Sequence, residues 1–346
     1  MAVDVADPDT TALDLRDQRL VAALQCDGRL AAERAAEVLG LGVRTVQRRW
    51  RALTADGTVR VVVLPPRPAA VGATLLRIRV LRGKLDTITA ALAAREDIPF
   101  VDLSASGDEI SAISLTRPGA RDSLLFRQLP LTQAVTSVTA ATVLHVFSEA
   151  ADWRLDVLSE AERMTLTPPA AEPPAAETLD ATDTALIGCL DEDARLPAAA
   201  VAARTGLPES TVRRRLARLA ASGGLRTHVV VDARRLGLEI DANVMMRVAP
   251  GRLDTVGRAL AAHPAVHGAL ATTGEANLTV AVWFRDLAEL YAFVTRDLGA
   301  LGVDSAETVI VGEVVKRPGV NRLTARPAYS ARSVARATSP TPSRGQ

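Results

Sequence analysis

Apolar positions along the chain switch between a helical and a strand rhythm, and the switch occurs twice. Between Asp183 and Arg226, Leu186, Ile187 and Leu190 mark a first amphipathic helix and Pro197–Arg204 a second, alanine-rich one. After a break at Thr205-Gly206-Leu207-Pro208 comes a third helix, Glu209–Ala220, where Val212, Leu216 and Leu219 share one inward face. Three helices with a glycine-containing turn before the last form a helix-turn-helix arrangement. Val46, Trp50 and Leu53 obey the same arithmetic in the first half. Each helical segment runs into an apolar β-branched stretch, Val59–Leu64 or Thr227–Asp232, read as part of a strand pair able to serve as a wing.

Strand and helix patterns alternate after that. In the second half the strands are Ala242–Val248, Val266–Thr272, Asn277–Phe284 and Ser305–Val315, and the helices Leu253–His263 and Asp286–Leu298. The order is β-α-β-β-α-β, a ferredoxin-like succession. The first half follows with Thr74–Leu81, Leu85–Arg95, Phe100–Ala105, Glu109–Leu115, Ala120–Leu129 and Val135–Val146.

The halves resemble one another in detail. Leu13 onward aligns with Leu179 onward without a gap across the helical segment, and Gly83–Thr87 matches Gly251–Thr255 at an offset near 167 residues. The fold class expected is α+β: two copies of a winged helix-turn-helix domain followed by a ferredoxin-like domain. The boundaries are a disordered start (1–12), a first helix-turn-helix (13–64) and a first βαββαβ domain (70–150). A connector with a Pro/Ala linker (151–178), the second helix-turn-helix (179–232), the second βαββαβ domain (240–322) and a disordered Ser/Pro/Arg tail (323–346) complete the chain. Within the connector, Ser159 with Glu162 has the spacing of a capping box and predicts a short helix.

Composition narrows the class. The chain has 346 residues, 48% hydrophobic and 23% charged, so it is globular for most of its length. Aromatics are 3%, which leaves Ala, Leu and Val to build the cores. A net charge of +1 excludes a polycationic binder but permits local basic patches. Cys26 and Cys189 make no disulfide framework, and four scattered histidines have no metal-site spacing, so neither metal nor cofactor is expected. The acidic start lacks a secretory pattern and no apolar run is long enough to span a bilayer, which points to a cytoplasmic protein without a membrane partner.

The chemistry sits on the third helices. Their outer faces carry Ser210, Thr211, Arg213, Arg214, Arg215 and Arg218 in the second half, and Arg44, Thr45, Gln47, Arg48 and Arg49 in the first. Arg can bridge guanine O6 and N7, and hydroxyl and amide side chains bond bases or phosphates, so these residues are candidates for contact with double-stranded DNA. The plain alternative is a solvated arginine face.

With these residues in view, both halves resemble the leucine-responsive regulator/AsnC (Lrp/AsnC) family of transcription regulators. The resemblance runs from Leu179 to Gly237 over the DNA-binding domain and hinge strand, and on through Asn321-Arg322-Leu323 over the effector-binding and oligomerisation domain. It implies sequence-specific DNA binding modulated by an amino acid or similar small molecule, and a homo-oligomer. Arg49 and Arg215 match the family's conspicuous recognition-helix arginine. Two departures stand out. Gly42 and Pro208 occupy the N-cap where the family places Ser. The effector loop, Gly-Asp-x-Asp in the family, reads Gly107-Asp108-Glu109-Ile110 in the first half and Gly274-Glu275-Ala276-Asn277, after Thr273, in the second. The effector candidates are therefore Gly107, Asp108, Thr273, Gly274, Glu275 and Asn277, with a glycine-bearing β-turn as the plain reading. Two alternatives remain: a sirohaem decarboxylase-like enzyme on the same fold, and a regulator whose first copy serves assembly alone.

Overall fold

Three helices open the chain, α1 (Leu15–Cys26), α2 (Ala32–Leu39) and α3 (Val43–Ala55), followed by strand β1 (Val59–Leu64). The computed structural model describes residues 12–55, 57–64, 72–81, 83–116, 128–129, 132–168, 179–190 and 193–321. Strand β2 (Gly72–Val80), helix α4 (Leu85–Ala93) and strands β3 (Phe100–Ser104), β4 (Glu109–Thr116) and β5 (Val135–Ser148) come next, and a short helix α5 (Glu160–Leu166) ends the first half. The second half contains α6 (Ala181–Gly188), α7 (Ala198–Thr205), α8 (Glu209–Ala221) and β6 (Arg226–Val231). Then follow β7 (Ile240–Arg247), α9 (Leu253–Ala261), β8 (Val266–Thr272), β9 (Leu278–Phe284), α10 (Leu287–Ala292) and β10 (Ser305–Arg317), to which the two-residue β11 (Val320–Asn321) returns. Most of the helix expected at Ala120–Leu129, the start of the chain, most of the Pro/Ala linker and the tail lie outside the described residues.

Each three-helix unit, or head, closes on the apolar face its sequence spells out. Val46, Trp50 and Leu53 of α3 are buried with Leu20 and Leu24 of α1, and Val212, Leu216 and Leu219 of α8 with Leu186 and Val201. Asp14 and Asp180 cap α1 and α6 by accepting from the backbone N–H three residues on. The capping box on α5 forms reciprocally between Ser159 and Glu162. Leu158 and Leu166 then bury in the first head's core while Glu162 pairs with Arg19 of α1. The connector helix is a fourth wall of the first head, a contact with no counterpart in the described residues of the second.

No wing forms as expected among the described residues. Each head supplies one strand, and β1 pairs antiparallel with β6 from Val59↔Val231 to Leu64↔Arg226. Two single strands, each with an unpaired edge, satisfy one another's backbone groups across the heads rather than folding back within them. Two arginines lock this ribbon reciprocally. Arg29 donates to the carbonyls of Ala194 and Leu196, the latter at 3.2 Å, while Arg195 donates to Gly28 O at 2.8 Å and Leu30 O at 3.0 Å. The Arg195 guanidinium also lies 4.7 Å from the Trp50 ring centroid.

The strand segments build one nine-stranded sheet from two halves in ferredoxin-like order, β3-β4-β2-β5 and β8-β9-β7-β10. Helix α4 covers the first through Leu92 and Ala93, over Leu76, Ile78, Val101 and Ile110. Helix α9 covers the second through Val256 and Leu260. The last strand of each half then crosses to the other. β5 pairs with β2 up to Thr74↔Thr142 and continues along β8 from Val143↔Thr272. β10 pairs with β7 up to Ile310↔Ala242 and continues along β3 from Val311↔Ser104. At that crossover a Cβ on Gly312 would stand 2.9 Å from Ala105 Cα, so only glycine lets the backbones meet.

A buried charge cluster sits where the halves meet. Arg317 of β10 donates to Asp102 of β3 at 2.8 and 3.1 Å and lies 2.9 Å from Asp241 of β7. Behind them His267 stacks on Trp283, ring centroids 3.8 Å apart. Burial raises the Asp102 carboxyl against the pull of Arg317. Burial acts the same way on Asp241, but there Arg317 and His267 prevail and hold it below the usual carboxylate range.

Nearby, burial, helped by Arg154 and His267, pushes the His228 imidazole of β6 down to about 4. The folded chain thus keeps this ring neutral while the unfolded chain protonates below about 6.5. Stability is complete above that value and drains as pH falls towards 4. At 1.36 kcal/mol per unit, and allowing for the ring's partial exposure, the loss is about 2 kcal/mol. His228→Gln should flatten the acid limb of the urea midpoint between pH 7 and 4 by that amount. An unchanged limb would place the acid sensitivity elsewhere.

Candidate nucleic-acid interface

The third helix of each head presents a polar outer face because its apolar residues are spent on the core. On α8, Ser210, Arg213, Arg214 and Arg218 are exposed, and Thr211 and Arg215 are half-buried. On α3, Arg44, Gln47 and Arg48 are exposed, and Thr45 and Arg49 half-buried. The N-termini carry no side-chain cap: Pro208 offers none to α8, and Gly42 precedes α3 with no side chain to give.

The arginines divide into two sets. Arg215 donates to Asp180 at 2.7 Å and Asp183 at 2.8 Å, and Arg49 repeats the pattern on Asp14 at 2.9 Å and Asp17 at 2.7 Å. Arg218 joins Asp183, whose side chain is 3% exposed. These carboxylates begin the first helix of each head, so the two matching arginines tie the third helix to the first. Side-chain hydrogen bonds to the aspartates raise the pKa of both guanidinium groups. A guanidinium held by two carboxylates has few N–H groups left for a base edge. Arg213 is bound to Glu209 one turn back. Arg44, Arg48 and Arg214 are exposed and carry no ion pair among the described residues. Sequence position alone did not separate the sets, because the partners lie 32 and 35 residues upstream.

The effector-loop residues fall into separate places. Thr273, Gly274, Glu275 and Asn277 form the β8–β9 turn, with Gly274 at φ 105°. The side chain of Asn277 is committed to the Val248 backbone, accepting from its N–H at 2.9 Å and donating to its carbonyl at 2.8 Å. Thr273 Oγ1 accepts from Thr142 N–H at 2.9 Å, fastening the turn to β5. Gly274, Glu275 and Asn277 border an open cavity of about 490 Å³ with Arg247, Pro250 and Asp304, and Glu275 is exposed. Gly107 and Asp108 occupy the corresponding β3–β4 turn, Gly107 at φ 74°, and do not line that cavity. Ser106 Oγ donates to Asp108 Oδ1 at 2.5 Å, a local turn bond.

Comparison with known proteins sets this geometry in context. An AsnC-type helix-turn-helix domain profile matches residues 179–220, and an Lrp/AsnC ligand binding domain profile matches 241–320. The chain is 32% identical over 140 residues to an uncharacterized HTH-type transcriptional regulator of Pyrococcus horikoshii, covering 40% of this chain and 89% of that protein. It is 31% identical over 139 residues to the HTH-type transcriptional regulator FL11 of Pyrococcus furiosus, covering 40% of this chain and 92% of the relative. Among solved structures, the siroheme decarboxylase NirDL, in co-complex with an iron-uroporphyrin III analogue, superposes with a TM-score of 0.57 at 14% identity. That superposition covers 88% of this chain and 93% of the other, and the likeness is one of fold.

Proposed function

The chain belongs to the Lrp/AsnC family of HTH-type transcriptional regulators, and from that premise we propose that it binds DNA with two unequal heads carried on one polypeptide. The halves are two copies of one unit, each a helix-turn-helix head on a ferredoxin-like body, and they pair within the chain. The observation that carries this reading is the head ribbon: β1 against β6, closed by Arg29 and Arg195, holds α3 and α8 in a fixed relation. The shared strands β5 and β10 support the same intrachain pairing in the bodies. Paired heads of this type address successive major grooves about 34–36 Å apart. Because Gln47 stands where the second head has Arg213, one chain prefers an asymmetric site.

Within this reading the DNA contacts come from Arg44 and Arg48 on α3 and Ser210, Arg213 and Arg214 on α8, with Thr45, Gln47, Thr211 and Arg218 beside them. Arg49 and Arg215 position the helices. Arg214→Ala and Arg48→Ala should each lower DNA affinity by about 1–3 kcal/mol if they read a base. Contact with phosphate alone gives instead a uniform loss across sequences and a salt slope smaller by about one. Fluorescence anisotropy on genomic operator fragments at several salt concentrations checks this, and unchanged binding in both variants would falsify the assignment. Arg215→Ala is expected to lower the stability of the second head without altering sequence preference.

The effector reading is that an amino acid or similar small molecule enters the cavity beside Gly274 and Glu275. A second copy of the chain joining through the bodies is the assembly this family membership favours. The enzyme reading has one observation in its favour, the fold likeness to NirDL across both halves. The regulator reading expects no turnover of a tetrapyrrole carboxylate by the purified chain.

A further inference from the structure

Between the head ribbon and the bodies lies a cavity of about 550 Å³, lined by none of the effector-turn residues. The ribbon contributes Arg60, His228 and Val230, and the bodies contribute Phe100, Trp283 and Val314. Asp241 and Arg317 of the buried charge cluster form part of its wall, and Trp153 of the connector closes one side. The volume is within the usual range for small-molecule sites, and the mixture of aromatic walls with a few directed polar groups is their usual chemistry.

Two features specify an occupant. Arg60 reaches from β1 across to the body, where it donates to the Gly319 carbonyl, and no carboxylate pairs with it among the described residues. The remaining N–H groups of that guanidinium are suited to a carboxylate, which they can meet in a two-pronged pair. Asp241 is ionised and bound to Arg317 through Oδ2, and its Oδ1 faces His267 Nε2 at 3.6 Å, so this carboxylate stays within the buried charge cluster. Trp153 and Trp283 meet edge to face at 4.8 Å, and with Phe100 they supply apolar surface for a planar body.

We propose that this junction cavity binds a small aromatic carboxylic acid. Its carboxylate pairs with Arg60 and its ring lies against Trp283 and Phe100. Such a ligand touches head and body together, so its binding stiffens the joint between them.

Tryptophan fluorescence of the full chain tests the proposal, since two of the three tryptophans line the cavity. The probes are 4-hydroxybenzoate, 4-hydroxyphenylacetate and indole-3-acetate, with 4-hydroxyphenylacetamide as the uncharged match, titrated to about 10 mM, beyond the millimolar weak end of specific affinity. At least one acid should give saturable quenching, and the amide should bind at least about tenfold more weakly. Arg60→Gln, a change at an exposed position, should weaken the acid by a similar factor, whereas Glu275→Gln beside the other cavity should not. Absence of saturation with every acid overturns the proposal, as does equal binding of acid and amide. Loss in Glu275→Gln with Arg60→Gln unaffected would assign the ligand to the effector turn instead. No DNA is present in these titrations, so their failure leaves the DNA-binding reading to its own test.

Discussion

Arg317→Met is expected to destabilise the chain by about 3–5 kcal/mol at neutral pH, the usual loss when one partner is removed from a buried ion pair. The argument rests on what remains behind. Arg317 is 16% exposed at its side chain and stands between Asp102 of β3 and Asp241 of β7, with 12% and 17% exposure. Its removal leaves two carboxylates buried beside each other, with a net negative charge and no cation in reach except His267, whose protonation burial opposes. Methionine restores the volume, so the loss reports charge rather than a hole. The sign with pH follows. In the variant both carboxyls are raised above their unfolded values, so the folded state gains protons first and the deficit shrinks as pH falls towards 5. Adding Asp102→Asn and Asp241→Asn to Arg317→Met should recover most of the stability. Urea unfolding of the single and triple variants at pH 7.5 and 5 measures all of this. A deficit that stays constant with pH and is not rescued would mean that Arg317 acts by packing alone.

Much of the fold was legible because its signals are local. Val46, Trp50 and Leu53 fall on one helical face whatever surrounds them, and the same is true of Val212, Leu216 and Leu219. The capping box at Ser159 and Glu162 needs only four consecutive residues, and it produced the expected helix. The strand order β-α-β-β followed from alternation and turns. The partners of those strands did not. A β-branched run indicates a strand but not the edge it pairs with, so β1 was read as part of a wing when it pairs instead with β6 of the other half. The lengths of β5 and β10 carried a hint, because strands of 14 and 13 residues exceed what one ferredoxin-like sheet needs.

For the candidate site, the sequence indicated which face the side chains leave from but not which partners they reach. The basic face of the third helix follows from periodicity, yet periodicity gives a side chain's direction of departure and not its destination. Arg49 and Arg215 leave the helix towards solvent and turn back to aspartates at the start of the first helix of each head, a contact no local pattern announces. Asn277 is a similar case. Its position in the effector turn suggested a ligand contact, while its amide is spent on both backbone groups of Val248. The head–body cavity left no sequence signal, because its walls come from β1, β3, β6, β7, β9 and β10 and from the connector.

Arg195→Ala is expected to cost about 4 kcal/mol and to loosen the two heads from one another. The side chain gives charge-assisted bonds to two carbonyls of the opposite head, each worth about 1.5–3 kcal/mol, and a cation–π contact with Trp50 worth about 1. Truncation leaves Gly28 O and Leu30 O at a close-packed junction, where a Cβ on Gly28 would already stand 2.4 Å from Thr227 Oγ1. Arg29→Ala breaks the reciprocal bonds to Ala194 and Leu196 and should act in the same direction, more weakly for want of a ring. If both arginines hold one interface, the second loss matters less once the first has opened it, and the double variant falls short of the sum. Hydrogen exchange reads the same event locally: amides of β1 and β6 should lose protection while those of β7 and β9 keep theirs. Additive losses with the ribbon still protected would mean that each arginine merely steadies a loop. The coupled result would instead make the head pair a unit of its own, and DNA affinity should then fall in Arg195→Ala although no residue of α3 or α8 has changed.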